Sequence, residues 1–231
     1  MPAKNSIKQY LENGYYHIYN RGVEKRDIFQ DKQDYGVFLS YLKEYLSPKD
    51  EKSLMKKLSD KNISYREKDK IIKSLRMNNF FGEISLFAYC LMINHFHLLL
   101  KQSKIDSINY FLKSLCTRYA MYFNKKYKRT GHLFQGIYKA VLVNSDEQLL
   151  YLTCYIHKQA LNFQGDTLLA QEIQPCSYGE YLGLRKTEWI KPEEILNQHY
   201  QRNPSFSYEQ FIRQSQDTEI INSLLIEDQD R

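Results

Sequence analysis

The stretch Leu91-Met92-Ile93-Asn94-His95-Phe96-His97-Leu98-Leu99-Leu100 reads as a buried strand that carries two histidines. Its nearly continuous hydrophobicity is typical of a strand covered on both faces. Side chains two apart in a strand point to one face, so His95 and His97 share a face and Phe96 takes the other. Two buried imidazoles are costly unless their nitrogens have partners. A divalent metal would provide one, and hydrogen bonds to backbone or carboxylate oxygens remain the alternative.

A second informative pattern lies in residues 145–161, where the spacing predicts a helix. Ser145 followed by Gln148 forms a capping-box start. Tyr155 and Gln159 are four apart, so a phenol and an amide project together from the helix surface. In a chain with 20 tyrosines such a pair arises easily by chance, so it gains meaning only beside other motifs. The predicted apolar stripe on the other side comprises Leu149, Leu150, Thr153, Ala160 and Leu161.

The composition describes a globular protein of 231 residues with 42% hydrophobic and 14% aromatic residues. This length gives one domain with appendages. Four scattered cysteines without a paired motif favour free thiols in a reducing cytoplasm. The longest apolar run, residues 86–93, is too short to span a bilayer, and no signal peptide is recognisable. We therefore expect a cytoplasmic protein without a membrane partner.

The charge is unevenly distributed along the chain, although its net value is only +6. Residues 107–145 hold no acidic residue and seven basic ones, interleaved with aromatic side chains. Residues 49–76 hold ten basic and five acidic residues. Cations for phosphates and rings for unpaired bases are typical of a nucleic-acid groove. The alternative is a solvated helix face whose aromatic residues belong to the core.

The order of elements predicts an α+β fold, a ferredoxin-like split β-α-β sandwich with a central antiparallel sheet. We expect strands at 15–23, 85–93, 95–101 and 136–144, and helices at 34–46, 108–127 and 145–161. The strand with the two histidines should be central. A catalytic domain would cover residues 1–165, interrupted by a helical insertion at 49–83. A helical C-terminal extension would cover residues 166–231, with helices near 192–199 and 207–225.

Four segments in a common order carry a resemblance that runs from about Gly14 to Tyr181. Together they resemble the HUH single-tyrosine transposases, which include insertion-sequence enzymes and REP-associated relatives. The chain departs from the family at Gln159-Ala160, where REP-associated members often have Asn-Pro, and at Ile93, often a proline. The segments are Tyr16-His17-Ile18-Tyr19-Asn20-Arg21-Gly22, Asn94-His95-Phe96-His97-Leu98-Leu99, Arg129-Thr130-Gly131-His132-Leu133-Phe134-Gln135-Gly136 and Tyr155-Ile156-His157-Lys158-Gln159.

The resemblance implies roles for four of these residues. In such enzymes two histidines bind a divalent metal, which makes His95 and His97 ligands of Mg²⁺ or Mn²⁺ here. The helix tyrosine, Tyr155, is the nucleophile, and Gln159 completes the metal shell. The implied reaction is metal-dependent cleavage and strand transfer of single-stranded DNA through a 5′-phosphotyrosine intermediate. The implied sites are flanked by hairpins, as in transposition or in the mobilisation of repeats.

The implied partner is hairpin-forming single-stranded DNA, and the implied location is the bacterial nucleoid. The sequence leaves open whether the protein acts as a monomer or as a homodimer. It also leaves open whether Tyr155 meets the histidines of its own chain or those of a partner. The candidate DNA-binding residues are Arg21, Arg118, Lys125, Lys126, Lys128, Arg129, His132 and Lys139.

Other functions fit parts of the pattern. A replication initiator or relaxase of the same superfamily often has more than one helix tyrosine and a longer chain. A domesticated DNA- or RNA-binding protein would keep the fold and the basic groove with little activity. A metal-independent RNA-binding module would share the basic aromatic stretch and the order of elements. The competing nucleophiles within the chain are Tyr151, Tyr119, Tyr122 and Tyr127.

Overall fold

A computed structural model describes residues 10–162, 171–172, 174–202, 204–215 and 220. The element order agrees with the predicted α+β class, including the helical insertion between the first two strands. The elements are β1 (Tyr15–Arg21), α1 (Lys32–Leu46), α2 (Glu51–Leu58), α3 (Tyr65–Arg76), β2 (Ile84–Met92), β3 (His95–Gln102), α4 (Ser107–Lys126), β4 (Lys139–Val143), α5 (Asp146–Ala160), β5 (Leu161–Asn162), β6 (Gln171–Glu172), α6 (Tyr178–Tyr181), α7 (Glu193–Arg202) and α8 (Tyr208–Gln214).

The main sheet of the described residues is antiparallel, with the strand order β2-β3-β1-β4. This is the arrangement of a ferredoxin-like split β-α-β sandwich, in which each helix crosses from one strand to another over a strand between them. The predicted fold is therefore confirmed. β3, which carries both histidines, lies between β2 and β1 and is an internal strand, as its hydrophobicity predicts.

The two faces of the sheet contact different cores. Phe96, Leu98 and Leu100 of β3 join the core formed with α1 and α4. Leu99, one step out of phase, joins the core formed with α5 and the C-terminal segment. The alternation of side chains in a strand explains this division, because successive residues point to opposite faces. His95 and His97 share the phase of Leu99 and lie on the α5 face.

The C-terminal segment packs on the same face as α5. Cys176 bridges to Cys90, and Ile190 bridges to Leu86, so this segment lies along β2. Tyr181 and Tyr208 are buried in the core beneath α5. The division of the chain at residue 165 stays a prediction. The four cysteines, all within the described residues, are free thiols, as expected.

The last described helix is shorter than the predicted one. α8 ends at Gln214, where Ser215 is extended and its N–H closes the last turn on the Phe211 carbonyl. The predicted helix at 207–225 continues into residues 216–219 and 221–231, which lie outside the described part of the chain. Within the described residues, no helix is long and apolar enough to cross a membrane.

The insertion forms a helical hairpin of α2 and α3, which pack on each other. Neither helix has a buried residue, because its apolar positions form only a thin stripe. The base of the hairpin is closed by Lys49, whose ammonium donates to the carbonyls of Leu75 at 2.6 Å and Met77 at 3.0 Å. The two charged helices predicted in this region are therefore present.

Candidate active site

His95 and His97 project from β3 toward α5. His97 is fully buried and His95 is half-buried. Their rings meet edge to face with centroids 5.1 Å apart. Phe96 points to the opposite layer, where its ring lies 5.2 Å from that of Phe38. The structure thus brings the two imidazoles together on one face, and their role as ligands stays a prediction.

A third histidine, His17, belongs to the same cluster and was missed from the sequence. Its ring stacks on that of His97, with centroids 5.1 Å apart and an interplanar angle of 17°. His17 Nε2 lies 2.8 Å from His97 Nδ1, so one nitrogen donates and the other accepts. The available signal was a histidine at an alternate position of the first predicted strand, inside a segment that carries the family resemblance.

The hydrogen bonds of the histidines determine which ring nitrogens can bind a metal. His95 Nδ1 lies 2.6 Å from Asn94 Oδ1, and an amide oxygen only accepts, so Nδ1 carries the hydrogen. The lone pair of His95 is then on Nε2. If His97 likewise donates from Nδ1 to His17, its lone pair is also on Nε2. Imidazoles held in this way at the second nitrogen are typical of metal ligands.

Tyr155 lies on α5 above these histidines. The helix begins where Ser145 Oγ accepts from the Gln148 N–H at 3.1 Å, and Gln148 Oε1 accepts from the Asn144 N–H at 3.0 Å. Tyr155 follows two to three turns later and is half-buried. Its ring centroid lies 5.7 Å from that of His97 and 6.0 Å from that of His17. The helix tyrosine therefore meets the histidines of its own chain.

A buried hydrogen-bond network fixes the position of α5. His157 Nδ1 lies 2.8 Å from Tyr208 Oη, and His157 Nε2 lies 2.8 Å from Ser177 Oγ. Ser177 Oγ also accepts from the Tyr89 N–H at 2.9 Å, which connects the network to β2. Burial, together with the cation of Arg185, lowers the pKa of His157 to about 3. His157 is therefore a neutral structural residue, and the sequence did not indicate its partners.

Gln159 lies one turn beyond Tyr155 on α5 and is half-buried. Residues four apart are neighbours on a helix, so the amide is next to the Tyr155 phenol. Within the described part of the chain, no group of three or more His, Cys, Asp or Glu is arranged to hold a metal. The donors that fit a divalent ion are thus two imidazoles and an amide oxygen. This set agrees chemically with the ligands expected from the sequence.

Tyr19 and two basic residues surround the histidines at one end of the sheet. The Tyr19 ring lies 5.5 Å from that of His95 and 5.1 Å from that of His97. Lys139 Nζ lies 6.0 Å from the Tyr19 ring centroid. Arg21 pairs with His95 in the strand register, and its side chain donates to Gln135. Arg21 and Lys139 therefore lie beside the candidate site.

The loop that follows α4 returns to this same end of the sheet. Phe134 bridges to Gly22, and the Val23 N–H donates to the Leu133 carbonyl at 3.0 Å. This loop carries Arg129 and the exposed His132 close to the end of β1. Lys125 and Lys128, at the end of α4, are exposed.

Arg118 and Lys126 lie in a different environment from the other candidate DNA-binding residues. Both are on α4, whose core is on the side of the sheet opposite to Tyr155. Arg118 pairs with Glu44 at 2.7 Å. Lys126 pairs with Asp31 and with the buried Asp34, each at 2.7 Å. These two cations already neutralise carboxylates of α1 and its N-terminal cap.

The competing tyrosines are held by other interactions. Tyr119 is buried and donates to the Ile28 carbonyl at 2.5 Å. Tyr122 and Tyr127 donate to Asp34 at 3.0 and 2.8 Å. Burial and the hydrogen bond to Asp34 raise the pKa of Tyr122 to about 12. The Tyr151 ring packs 5.1 Å from that of Phe211.

Comparison with known proteins identifies a family over part of the chain. Residues 55–159 match the family described as "Transposase IS200 like", a segment that includes His95, His97, Tyr155 and Gln159. This match confirms the resemblance inferred from the four motifs. No curated protein matches the chain.

Three solved structures show weak likeness to the chain. The first is a REP-associated tyrosine transposase bound to a REP hairpin, with 7% identity, a TM-score of 0.47, and coverage of 81% of this chain and 97% of that one. The second is a candidate transposase from Deinococcus radiodurans, with 16% identity, a TM-score of 0.35, and coverage of 67% and 97%. The third is the tRNA(His) guanylyltransferase of Saccharomyces cerevisiae, with 12% identity, a TM-score of 0.31, and coverage of 95% and 81%.

Proposed function

Because residues 55–159 match the IS200-like transposase family, we propose that this protein cleaves and rejoins single-stranded DNA through Tyr155. The reaction would proceed through a 5′-phosphotyrosine intermediate, at sites flanked by DNA hairpins. The observation that carries the proposal is the position of Tyr155, whose ring lies 5.7 Å from that of His97 in the same chain. A nucleophile and a pair of candidate metal ligands thus occur side by side.

The chemistry assigned to Tyr155 balances without a cosubstrate. The phenolic oxygen attacks phosphorus and loses its proton, forming the bond to the 5′ phosphate. The bond to the 3′ oxygen breaks, and this oxygen takes up a proton and leaves as a hydroxyl. The covalent intermediate keeps the energy of the diester, so attack by another 3′-hydroxyl reverses the step and joins two strands. This reversibility suits strand transfer better than hydrolysis.

The residues proposed to hold Mg²⁺ or Mn²⁺ are His95, His97 and Gln159. When bound, the ion would neutralise charge on the non-bridging oxygens of the scissile phosphate. Asn94 and His17 hold the second nitrogen of each imidazole, at 2.6 and 2.8 Å, and so fix the ring orientations. The buried His157 network holds α5, and with it Tyr155, over these rings.

The proposed partner is hairpin-forming single-stranded DNA that enters at the end of the sheet where His95 lies. Arg21, Lys139, Arg129 and His132 lie at this end, and their charges and donors suit phosphate oxygens. We propose that one chain holds a complete site, because Tyr155 contacts histidines of its own sheet. A homodimer would then serve another purpose, such as pairing two DNA ends. The proposed location is the cytoplasm, on the nucleoid.

Trapping the covalent adduct tests the proposal. The protein is incubated with a library of single-stranded hairpins and Mn²⁺ or Mg²⁺, and the modified peptide is located by mass spectrometry. We expect the adduct on Tyr155 in the parent protein, no adduct in Tyr155→Phe, and a retained adduct in Tyr151→Phe. An adduct on another tyrosine would overturn the assignment. DNA or RNA binding without any adduct would favour the alternative of a domesticated binding protein.

A further inference from the structure

The helical hairpin of residues 49–76 has a basic surface that the proposed reaction does not use. Neither α2 nor α3 contains a buried residue, so the hairpin adds nothing to the main core. The segment nevertheless holds ten basic residues. Eight of these side chains are exposed, namely Lys52, Lys56, Lys57, Lys61, Arg66, Lys70, Lys73 and Arg76.

The acidic residues of the hairpin are largely engaged in local structure. Asp50 caps α2 by accepting from the Ser53 N–H at 2.9 Å. Glu67 closes the capping box of α3 with Ser64. Asp60 accepts from the Asn62 N–H in the turn at 2.9 Å. Asp69 pairs with Lys73 at 2.7 Å. These carboxylates therefore serve helix caps, the turn and one ion pair, and leave the hairpin with an excess of exposed cations.

The exposed cations form ridges along the helices. Arg66, Lys70 and Lys73 recur at intervals of four and three residues on α3, and Lys52 and Lys56 are four apart on α2. Such side chains are neighbours about 5–6 Å apart on a helix surface. Repeated positive charge at this spacing suits the closely spaced phosphates of a nucleic-acid strand. An acidic protein surface would need fewer regularly spaced cations.

The tip of the hairpin carries an exposed aromatic residue between cations. Tyr65 is 87% exposed, the largest fraction among the exposed large hydrophobic side chains of the described residues. Lys61 precedes it in the turn and Arg66 follows it directly. A tyrosine left in water is unfavourable as packing but is suited to stacking on an unpaired base. The tip thus combines a stacking ring with phosphate-binding charges.

The hairpin starts from the end of the sheet far from the candidate active site. α3 leads into β2, whose first residue Ile84 pairs with Gln102, while His95 begins β3 at the other end. Eight residues of strand at about 3.3 Å each separate the two ends by about 25 Å. At about 3.4 Å per nucleotide step, a DNA contact of the hairpin lies roughly seven or more steps from the scissile phosphate.

We propose that the α2–α3 hairpin is a second DNA-binding arm, which holds the substrate on the side remote from the cleaved bond. The ridges on α2 and α3 bind phosphates, and Tyr65 stacks on an unpaired base, such as one in the loop of a DNA hairpin. The inference rests on the proposed function for the identity of its ligand, DNA. Its test uses binding and length dependence, which are measured separately from cleavage.

Two DNA substrates and matched variants test the arm. One substrate is a short single strand around the cleavage site, and the other adds a hairpin at least ten base pairs long. The arm variant Lys52→Gln/Lys56→Gln/Arg66→Gln is compared with Lys32→Gln/Lys186→Gln/Lys191→Gln, which removes equal charge elsewhere. On the long substrate we expect the arm variant to flatten the salt dependence by roughly two to three contacts' worth, at about 0.9 per duplex phosphate. The control variant should keep the parent slope.

The tip is tested with Tyr65→Ala and Tyr65→Phe. Loss of stacking should weaken binding of the long substrate by at least about five-fold in Tyr65→Ala, while Tyr65→Phe keeps the ring and the affinity. An unchanged affinity and salt slope in both arm variants would overturn the arm. If the arm variants lose DNA affinity and no tyrosine adduct forms, the arm stands and the proposed reaction fails. If the adduct forms with unchanged affinity, the reverse holds.

Discussion

His17 Nε2 and His97 Nδ1 lie 2.8 Å apart, on neighbouring strands and with stacked rings. Both rings are buried, so this contact constrains their protons: the two nitrogens can share one hydrogen between them, and carrying two would be unfavourable. The contact also orients His97 so that its Nε2 keeps the lone pair a metal needs. A histidine outside the HxH motif therefore influences the motif.

Substitution of His17 tests this relationship. Loss of a partner behind a metal ligand typically costs about 10–100-fold in metal affinity. We expect His17→Leu to weaken Mn²⁺ binding, measured by calorimetry, by about this factor, and His17→Gln, which keeps an acceptor oxygen, by less. Val141→Ala, which alters the strand partner of His17, is the control for packing. Equal Mn²⁺ affinity in all variants would show that the contact is structural.

His95→Ala and His97→Ala should both abolish DNA cleavage, but only the second should affect folding strongly. His97 is fully buried and its removal leaves His17 Nε2 without its hydrogen bond. A buried unsatisfied polar group costs about 1–3 kcal/mol. Urea unfolding should show this loss for His97→Ala and a smaller one for the half-buried His95. Metal-independent cleavage by either variant would exclude the proposed ligands.

Gln159→Ala should retain the fold and weaken the use of metal. The side chain is half-buried and one turn from Tyr155, so its removal creates little cavity. Adduct formation should need about 10–100-fold more Mn²⁺, as for other supporting ligands. Gln159→Glu, which keeps an oxygen donor, should recover part of the activity. An unchanged Mn²⁺ dependence in Gln159→Ala would remove this residue from the site.

The buried His157 should make folding sensitive to acid. Its pKa is lowered to about 3 by burial and by Arg185, below the value of about 6.5 in an unfolded chain. The unfolded state therefore binds the extra proton first as the pH falls. The free energy of unfolding should be fully retained above pH 6.5 and fall by up to about 1.4 kcal/mol per pH unit between 6.5 and 3.

The comparison of the parent protein with His157→Gln isolates this effect from the other histidines. Urea unfolding at pH 7.5, 6.0 and 5.0 should show a shallower decrease for the variant, although it is less stable at pH 7.5 because Ser177 or Tyr208 loses a partner. Identical pH dependence in the two proteins would mean that His157 is protonated in the folded state.

Basic residues near α4 should divide into two groups. Neutralising Lys125, Lys128 and Arg129 together should flatten the salt dependence of single-strand binding by roughly 0.7 per lost contact. Arg118→Gln and Lys126→Gln should change the slope less, because these side chains pair with Glu44, Asp31 and Asp34. Lys126→Gln should instead lower thermal stability, since the buried Asp34 loses its cation. Equal slopes for both groups would contradict the division.

Much of this protein follows from local sequence patterns. Periodicity and caps predicted the helices and strands of the sandwich within a few residues, and the order of these elements predicted the strand order. The HxH spacing alone placed two imidazoles on one face, because strand geometry fixes the direction of alternate side chains. The four-residue spacing of Tyr155 and Gln159 likewise made them neighbours on one helix. Each of these relationships spans only a few residues, or uses a known chain topology.

The tertiary structure alone decided which distant residues meet. His17 reaches His97 because β1 and β3 are adjacent, and His157 reaches Ser177 and Tyr208 because the C-terminal segment packs under α5. Lys126, a DNA-binding candidate by composition, turns out to neutralise the buried Asp34. Such partners depend on how elements distant in sequence pack, and a buried polar group takes whichever partner the fold brings within hydrogen-bond distance. Local patterns carry no record of that choice.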